Sequence, residues 1–216
     1  MAGGRLLQAP KGLTVRPTPD LVRQAVFNSL GSVVAVDGAA VLDLFSGTGA
    51  LGLECLSRGA SRVVSVELSG AHARYIRENV ARLGLPKEQH ELRVQDVFTA
   101  LRHLATLPGR FDLVMADPPF GPKTAGKRSE SASQRLMEAP ELGVLLADGG
   151  YLVLGHARRD GVTVPAVWEE RRVLEHGDSV FRILSRRAAP SGGSSTPGDD
   201  GVRPAEDEPH GSAAGI

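Results

Sequence analysis

The 216-residue chain carries 25 basic and 25 acidic side chains, 41% apolar residues and a single cysteine, Cys55. That apolar share excludes general disorder, and the length suits one ordinary α/β domain with a segment to spare. One cysteine excludes a disulfide framework, the start MAGGRLLQAP lacks a signal peptide's apolar run, and no stretch reaches transmembrane length, so a reducing, cytoplasmic setting without a membrane is expected.

The neutral total hides an uneven distribution. Residues 188–216 hold Asp199, Asp200, Glu206, Asp207 and Glu208 against Arg203, which leaves 24 basic and 20 acidic groups, about +4, in residues 1–187. Such an excess suits a nucleic-acid partner without requiring one.

In chain order, Thr18-Pro19-Asp20 is a helix start, with Thr as N-cap, Pro at the first position and an acid in the first turn. Val22, Val26 and Leu30, with Ala25 and Phe27, then line one face until Gly31. AVLDLF (40–45) reads as a buried strand, followed by a glycine-rich turn and a helix closing at Gly59. SRVVSVE (61–67) is the next strand, with a helix to Gly84, a strand HELRVQ (90–95), a helix over about 97–107 and a strand FDLVMAD (111–117). GYLVLG (150–155) is a fifth strand, and AVWEERRVLEHG and DSVFRILSRR read as two strands joined by a His-Gly-Asp turn. This alternation predicts an α/β fold with a parallel sheet covered on both faces and an antiparallel pair at its end. From Ala188 onward Pro, Gly, Ser, Ala and acids dominate, predicting a disordered acidic tail.

Gly47, Gly49 and Gly52 satisfy G-x-G-x-x-G between a strand and a helix, and Glu67 ends the next strand. Several cofactor classes share this pattern, including the dinucleotides. Bare backbone amides at a helix N-terminus suit a pyrophosphate, and a carboxylate beside them repels it. Asp43, at the end of the first strand, therefore favours a ligand with a cationic end, such as the ammonium and sulfonium of S-adenosylmethionine. A plain turn-capping role for Asp43 and a nicotinamide-dependent oxidoreductase remain the competing readings. Asp96 opens the fourth helix, either as an ordinary N-cap or as an acceptor for an adenine amine beside the amide of Val97.

Asp117-Pro118-Pro119-Phe120 follows the fourth strand directly. Paired prolines stiffen the loop at the sheet edge where open α/β folds bind ligands. A carboxylate and a carbonyl can accept the N–H groups of a planar base amine, and the Phe120 ring can stack on the base. As such a nitrogen attacks a methyl carbon it gains positive charge, which preplaced acceptors stabilise. The motif alone also allows a DNA adenine or cytosine amine, and a catalytically silent RNA-binding protein could share the fold.

Together with Arg16-Pro17-Thr18-Pro19-Asp20-Leu21-Val22-Arg23-Gln24-Ala25-Val26-Phe27-Asn28 and DLFSGTGALGLECLSRGA, these motifs resemble the bacterial RsmD-type 16S ribosomal RNA guanine-N2 methyltransferases over roughly residues 3–187. The resemblance implies a class I methyltransferase fold, a Rossmann-like three-layer sandwich whose seven-stranded, mostly parallel sheet ends in an antiparallel hairpin. It implies S-adenosylmethionine held by Thr18, Asp43, Phe45, Gly47, Gly49, Glu67, Asp96 and Val97. The target base then lies against the catalytic Asp117, Pro118, Pro119 and Phe120. It divides the chain into an RNA-contacting, cofactor-covering segment 1–31, a methyltransferase domain 32–187 and the tail 188–216. The partner it implies is ribosomal RNA in small-subunit assembly particles, bound by a monomer without a metal.

Arg5, Lys11, Arg16 and Arg23, with Lys123, Lys127 and Arg128 in the loop GPKTAGKRSESASQ, are candidates for a phosphate-binding rim. The chain departs from the family pattern in having few residues before Arg5, a longer loop after Phe120, and Gly155 where relatives often carry glutamate. His72, His90, His103, His156 and His176 lack metal-ligand spacing, and with Trp168 and Cys55 they read as surface or packing residues.

Overall fold

The structure, a computed structural model, describes residues 20–120 and 131–187. The elements are α1 (Asp20–Leu30), β1 (Ala40–Leu44), α2 (Ala50–Ser57), β2 (Arg62–Glu67), α3 (Gly70–Leu83), β3 (His90–Val94), α4 (Val97–Ala105) and β4 (Phe111–Ala116). They continue with α5 (Ala132–Glu138), α6 (Pro140–Leu145), β5 (Leu146–Ala157), β6 (Trp168–His176) and β7 (Ser179–Arg186).

The seven strands form one sheet in the order β3-β2-β1-β4-β5-β7-β6. β1 to β5 pair in parallel, whereas β7 runs antiparallel to both β5 and β6, as the sequence predicts. From β1 the chain moves outward through β2 to β3, then crosses back so that β4 lies against the other side of β1. The direction of winding reverses between β1 and β4, the topological switch point at which open α/β sheets bind ligands.

Alternating side chains give the sheet two apolar faces. Val41, Val63, Leu113, Met115 and Val153 pack with residues of α1, α2 and α3. Leu42, Leu44, Val64, Val66, Val114 and Leu152 pack with α4, α5, α6 and Trp168. Val22, Val26, Phe27 and Leu30 bring α1 into the first of these cores, and Arg58 lays its guanidinium 4.6 Å from the Phe27 ring centre.

Two helices and part of a strand differ from the sequence reading. Ala132, Ser133 and Gln134, which the sequence pattern reads as loop, begin α5, where the Ser131 side chain accepts the Gln134 N–H at 3.1 Å. α5 and α6 have 7 and 6 residues, too short for a helical period to emerge, and they form because Leu136, Met137, Leu142 and Leu145 bury against the sheet. β5 begins at Leu146 rather than 150, with an irregular register against β4 between Phe111 and Leu113. Among the described residues no helix is long and apolar enough to cross a membrane.

Trp168 starts β6 beneath α5, buried, with its indole N–H donating to the Met137 carbonyl at 2.9 Å. Trp168→Phe removes that donor and leaves a buried carbonyl short of a partner. We expect a loss of about 1–3 kcal/mol in urea unfolding, with the far-ultraviolet circular dichroism of the native state unchanged.

Candidate active site

Side chains on a strand alternate, so residues two apart share a face. Asp43 therefore lies on the face of Val41, Glu67 on that of Val63, and Asp117, one residue beyond β4, on that of Leu113 and Met115. Three carboxylates thus collect on the side of α1, α2 and α3, at the carboxyl ends of three adjacent strands.

The turn after β1 is shaped for them. Phe45, Gly47 and Gly49 all have left-handed backbone, at φ 57, 56 and 84°. The turn is pinned by the Ser46 hydroxyl, 2.7 Å from the Asp43 carbonyl and 3.2 Å from that of Val66. The buried Asn79 amide on α3 also donates to the Thr48 carbonyl at 3.1 Å. Glu67 receives the Gly47 N–H on Oε2 at 2.8 Å and the Ser69 N–H on Oε1 at 2.7 Å, with His72 Nδ1 3.4 Å from Oε1.

The third glycine has a different task from the one a dinucleotide site would give it. Gly52 N–H donates to Asp43 Oδ2 at 3.1 Å, and a β-carbon there would stand 2.8 Å from that oxygen and 3.0 Å from Val63 Cγ1. Asp43 thereby fills a capping position that the α2 N-cap, Gly49, has no side chain to fill. The turn-capping role read for Asp43 is thus present in the structure. Only 1% of Asp43 is exposed, and burial pushes its carboxyl up to about 7 despite help from Gly52 and Ser46, with the charges of Asp117 and Glu67 adding to the rise. A site that strains to hold one negative charge beside two others repels a pyrophosphate and suits a cation.

At the third strand, Asp96 Oδ1 accepts the Thr99 N–H at 2.9 Å and its hydroxyl at 3.1 Å, which is an N-cap of α4. The cap occupies one oxygen. Val97 is the first residue of α4, so its N–H has no partner within the helix. Phe98 beside it meets the Phe45 ring edge-on at 6.3 Å and carries the Arg135 guanidinium 4.0 Å above its centre. Phe98 and Arg135 were invisible to sequence reasoning, because nothing local links them to Phe45.

On the β4 side Pro118 is buried and Asp117 half-buried, whereas Pro119 and Phe120 are exposed, Phe120 by 44%. Arg159, just past β5, sits with its guanidinium carbon 5.6 Å from the Phe120 ring centre. It is a cation at the mouth of the site that the sequence reading did not single out. Of the basic rim, Arg23 lies half-buried on α1, while Arg5, Lys11, Arg16, Lys123, Lys127 and Arg128, like Thr18, lie outside the described residues. Burial lowers the pKa of His156 and of His90, with His156 between the Arg182 guanidinium and the Ala157 carbonyl and His90 against the Ser65 hydroxyl.

The family model described as "Conserved hypothetical protein 95" matches residues 1–185. Ribosomal RNA small subunit methyltransferase D of Escherichia coli (strain K12) is 33% identical over 186 residues, 86% of this chain and 86% of that protein. The chain belongs to this RsmD-type methyltransferase family. A solved structure of the Escherichia coli protein yhhF, described provisionally as a methyltransferase, superposes with a TM-score of 0.67 at 31% identity, covering 86% of this chain and 94% of that one. A hypothetical protein of Thermus thermophilus superposes at 0.65 with 28% identity, covering 84% and 94%. The sheet order and terminal hairpin of this RsmD-type chain are those of class I methyltransferases.

The raised Asp43 carboxyl has a consequence for stability without ligand. The folded RsmD-type chain keeps a proton that the unfolded chain releases near 3.8, so this contribution is fully present below that value and is lost as pH rises through about 7. Asp43→Asn should remove that decline between pH 4 and 7, measured as melting temperature against pH. A profile identical to that of the unsubstituted protein would show that Asp43 ionises normally.

Proposed function

We propose that this protein transfers the methyl group of S-adenosylmethionine to the exocyclic N2 amine of a guanine in small-subunit ribosomal RNA. The observation that carries the reading is the pairing of two acceptor sets across the β1–β4 switch point. Asp43 and Glu67 stand on one side and Asp117, which opens Asp117-Pro118-Pro119-Phe120, on the other, the three carboxylates on one face of the sheet. The name of the Escherichia coli relative supports small-subunit ribosomal RNA as the substrate. The guanine N2 position is our extension of the family resemblance.

In this reading Asp43 faces the cationic amino-acid end of the cofactor, Gly47 and Gly49 let the backbone approach it, and Phe45 lines its path. Glu67 accepts from the ribose hydroxyls with lone pairs not used by Gly47 and Ser69. Asp96 and the Val97 N–H meet the adenine edge, and Thr18 is assigned to the same cofactor. The bound cofactor supplies a methyl carbon made electrophilic by its sulfonium. Asp117 and the Pro118 carbonyl accept the two N–H groups of the base amine and aim its nitrogen at that carbon, while Phe120 stacks on the ring, kept in place by the stiffness of Pro119. As the N–C bond forms and the C–S bond breaks, the carboxylate of Asp117 stabilises the charge growing on nitrogen and takes up the released proton. A guanine held in a helix must first leave its stack. Arg5, Lys11, Arg16, Arg23, Lys123, Lys127 and Arg128 neutralise phosphates around the entrance, and Arg159 joins them. The protein acts as a monomer on assembling small-subunit particles in the cytoplasm.

The test is incubation with methyl-labelled S-adenosylmethionine and small-subunit particles lacking the modification, followed by nucleoside analysis. We expect label in N2-methylguanosine; label confined to another nucleoside, or to DNA, would replace this substrate. In the same assay Asp117→Ala should lower kcat by about 10²–10³-fold while cofactor affinity changes little. Full activity of that variant would remove Asp117 from the reaction.

A further inference from the structure

We infer that Gly155 is a positioning residue, and that the β-carbon it lacks is the niche in which the Asp117 carboxylate is seated. The inference rests on the reading of Asp117 as the acceptor for the base amine.

β4 and β5 pair in parallel with Ala116 beside Leu154, so the next residues, Asp117 and Gly155, are neighbours on one face of the sheet. On its other flank Gly155 pairs with Phe181 of β7. A β-carbon at Gly155 would overlap Asp117 Oδ1, lie 3.1 Å from its Cγ and stand 2.9 Å from Phe181 Cε1. The backbone does not call for glycine here, because Gly155 is absent from the positive-φ positions. Nor does a strand interior favour glycine, which weakens the strand and often marks a close approach by another group. What approaches is the carboxylate. The Ser133 hydroxyl, buried on α5, donates to the Gly155 carbonyl at 3.3 Å, which ties this point of β5 to the helix that follows the D-P-P-F loop. In this chain the Asp117 carboxylate therefore occupies the room left at Gly155, and a β-carbon added there would displace it.

Displacing an acceptor by about an ångström costs on the order of 10²-fold in rate when alignment carries the reaction. Gly155→Ala should accordingly lower kcat by about 10²-fold, with KM for the particle and the dissociation constant for S-adenosylmethionine changing less than about threefold. A general loss of structure would move all three. Melting temperatures of the full chain, Gly155→Ala, Asp117→Ala and the double variant give a second readout that needs no activity. We expect the loss caused by Gly155→Ala to shrink in the Asp117→Ala background, because the carboxylate it strikes is gone. The same result is expressed if Gly155→Ala fails to fold and the double variant folds. An unchanged kcat in Gly155→Ala overturns the inference. So does an equal melting loss, or a failure to fold, in both backgrounds, which assigns the glycine to Phe181 instead. Failure of the underlying reading looks different, since Asp117→Ala would then keep its activity.

Discussion

A carboxylate inside an α/β core is the constraint around which this molecule is arranged. Asp43 sits on the middle strand of the parallel part of the sheet, where an apolar residue would pack without penalty. Leaving water costs an ionised group several kcal/mol unless partners replace its hydration. The chain supplies one backbone N–H, from Gly52, and then places Glu67 and Asp117 near enough to work against ionisation. A core built for stability alone would not do this. Among the described residues every buried side-chain nitrogen or oxygen has a hydrogen-bond partner, so the tension at Asp43 is one of charge rather than of missing hydrogen bonds. It is the kind of tension that a cationic ligand resolves.

Much of the surrounding sequence follows from that constraint. Gly52 leaves room both for the Asp43 oxygen and for Val63, so α2 can start close against the sheet. Glu67 is held by the turn it serves, through the Gly47 N–H, which makes the second carboxylate part of the same rigid unit. Asn79 reaches from α3 to hold the Thr48 carbonyl, so the turn is braced from both sides. Asp117 comes from a strand that would be remote in a different winding. The crossover from β3 back to β4 brings it beside β1, and Gly155 on the next strand makes room for it.

The strands themselves and the two motifs were legible because each depends on short-range pattern. Runs such as AVLDLF and FDLVMAD announce buried strands, and a period of two already places Asp43 opposite Leu42 and Leu44. What the sequence concealed depends on distant partners. α5 and α6 are too short to show a period and exist through packing. Arg159 lies 39 positions from Phe120, and Arg135 lies 37 from Phe98, so neither pair could be read from spacing. Gly155 was noticed as a departure from the family pattern, yet only the register of β4 on β5 gives it a reason. Asp96 offered a cap and a ligand contact as alternatives, and the geometry accommodates both, since the cap uses a single oxygen.

Phe45 shows how far the turn is specialised. It is the one non-glycine residue with positive φ among those described, in a segment where glycine is already used twice. Left-handed backbone at a bulky residue costs roughly 1–3 kcal/mol and persists only where the surroundings over-determine it. Ser46 supplies that determination, since its N–H and hydroxyl both bond the Val66 carbonyl and its hydroxyl also bonds Asp43. A glycine at 45 would relieve the strain and lose the edge-on contact with Phe98. That contact joins the end of β1 to the start of α4, two places that the chain separates by 53 positions and that would face opposite ends of one nucleoside ligand. The strain is therefore intelligible as the cost of an aromatic ring placed where the turn must also bend left-handed, with the ring linking the turn that follows Asp43 to the helix that Asp96 caps.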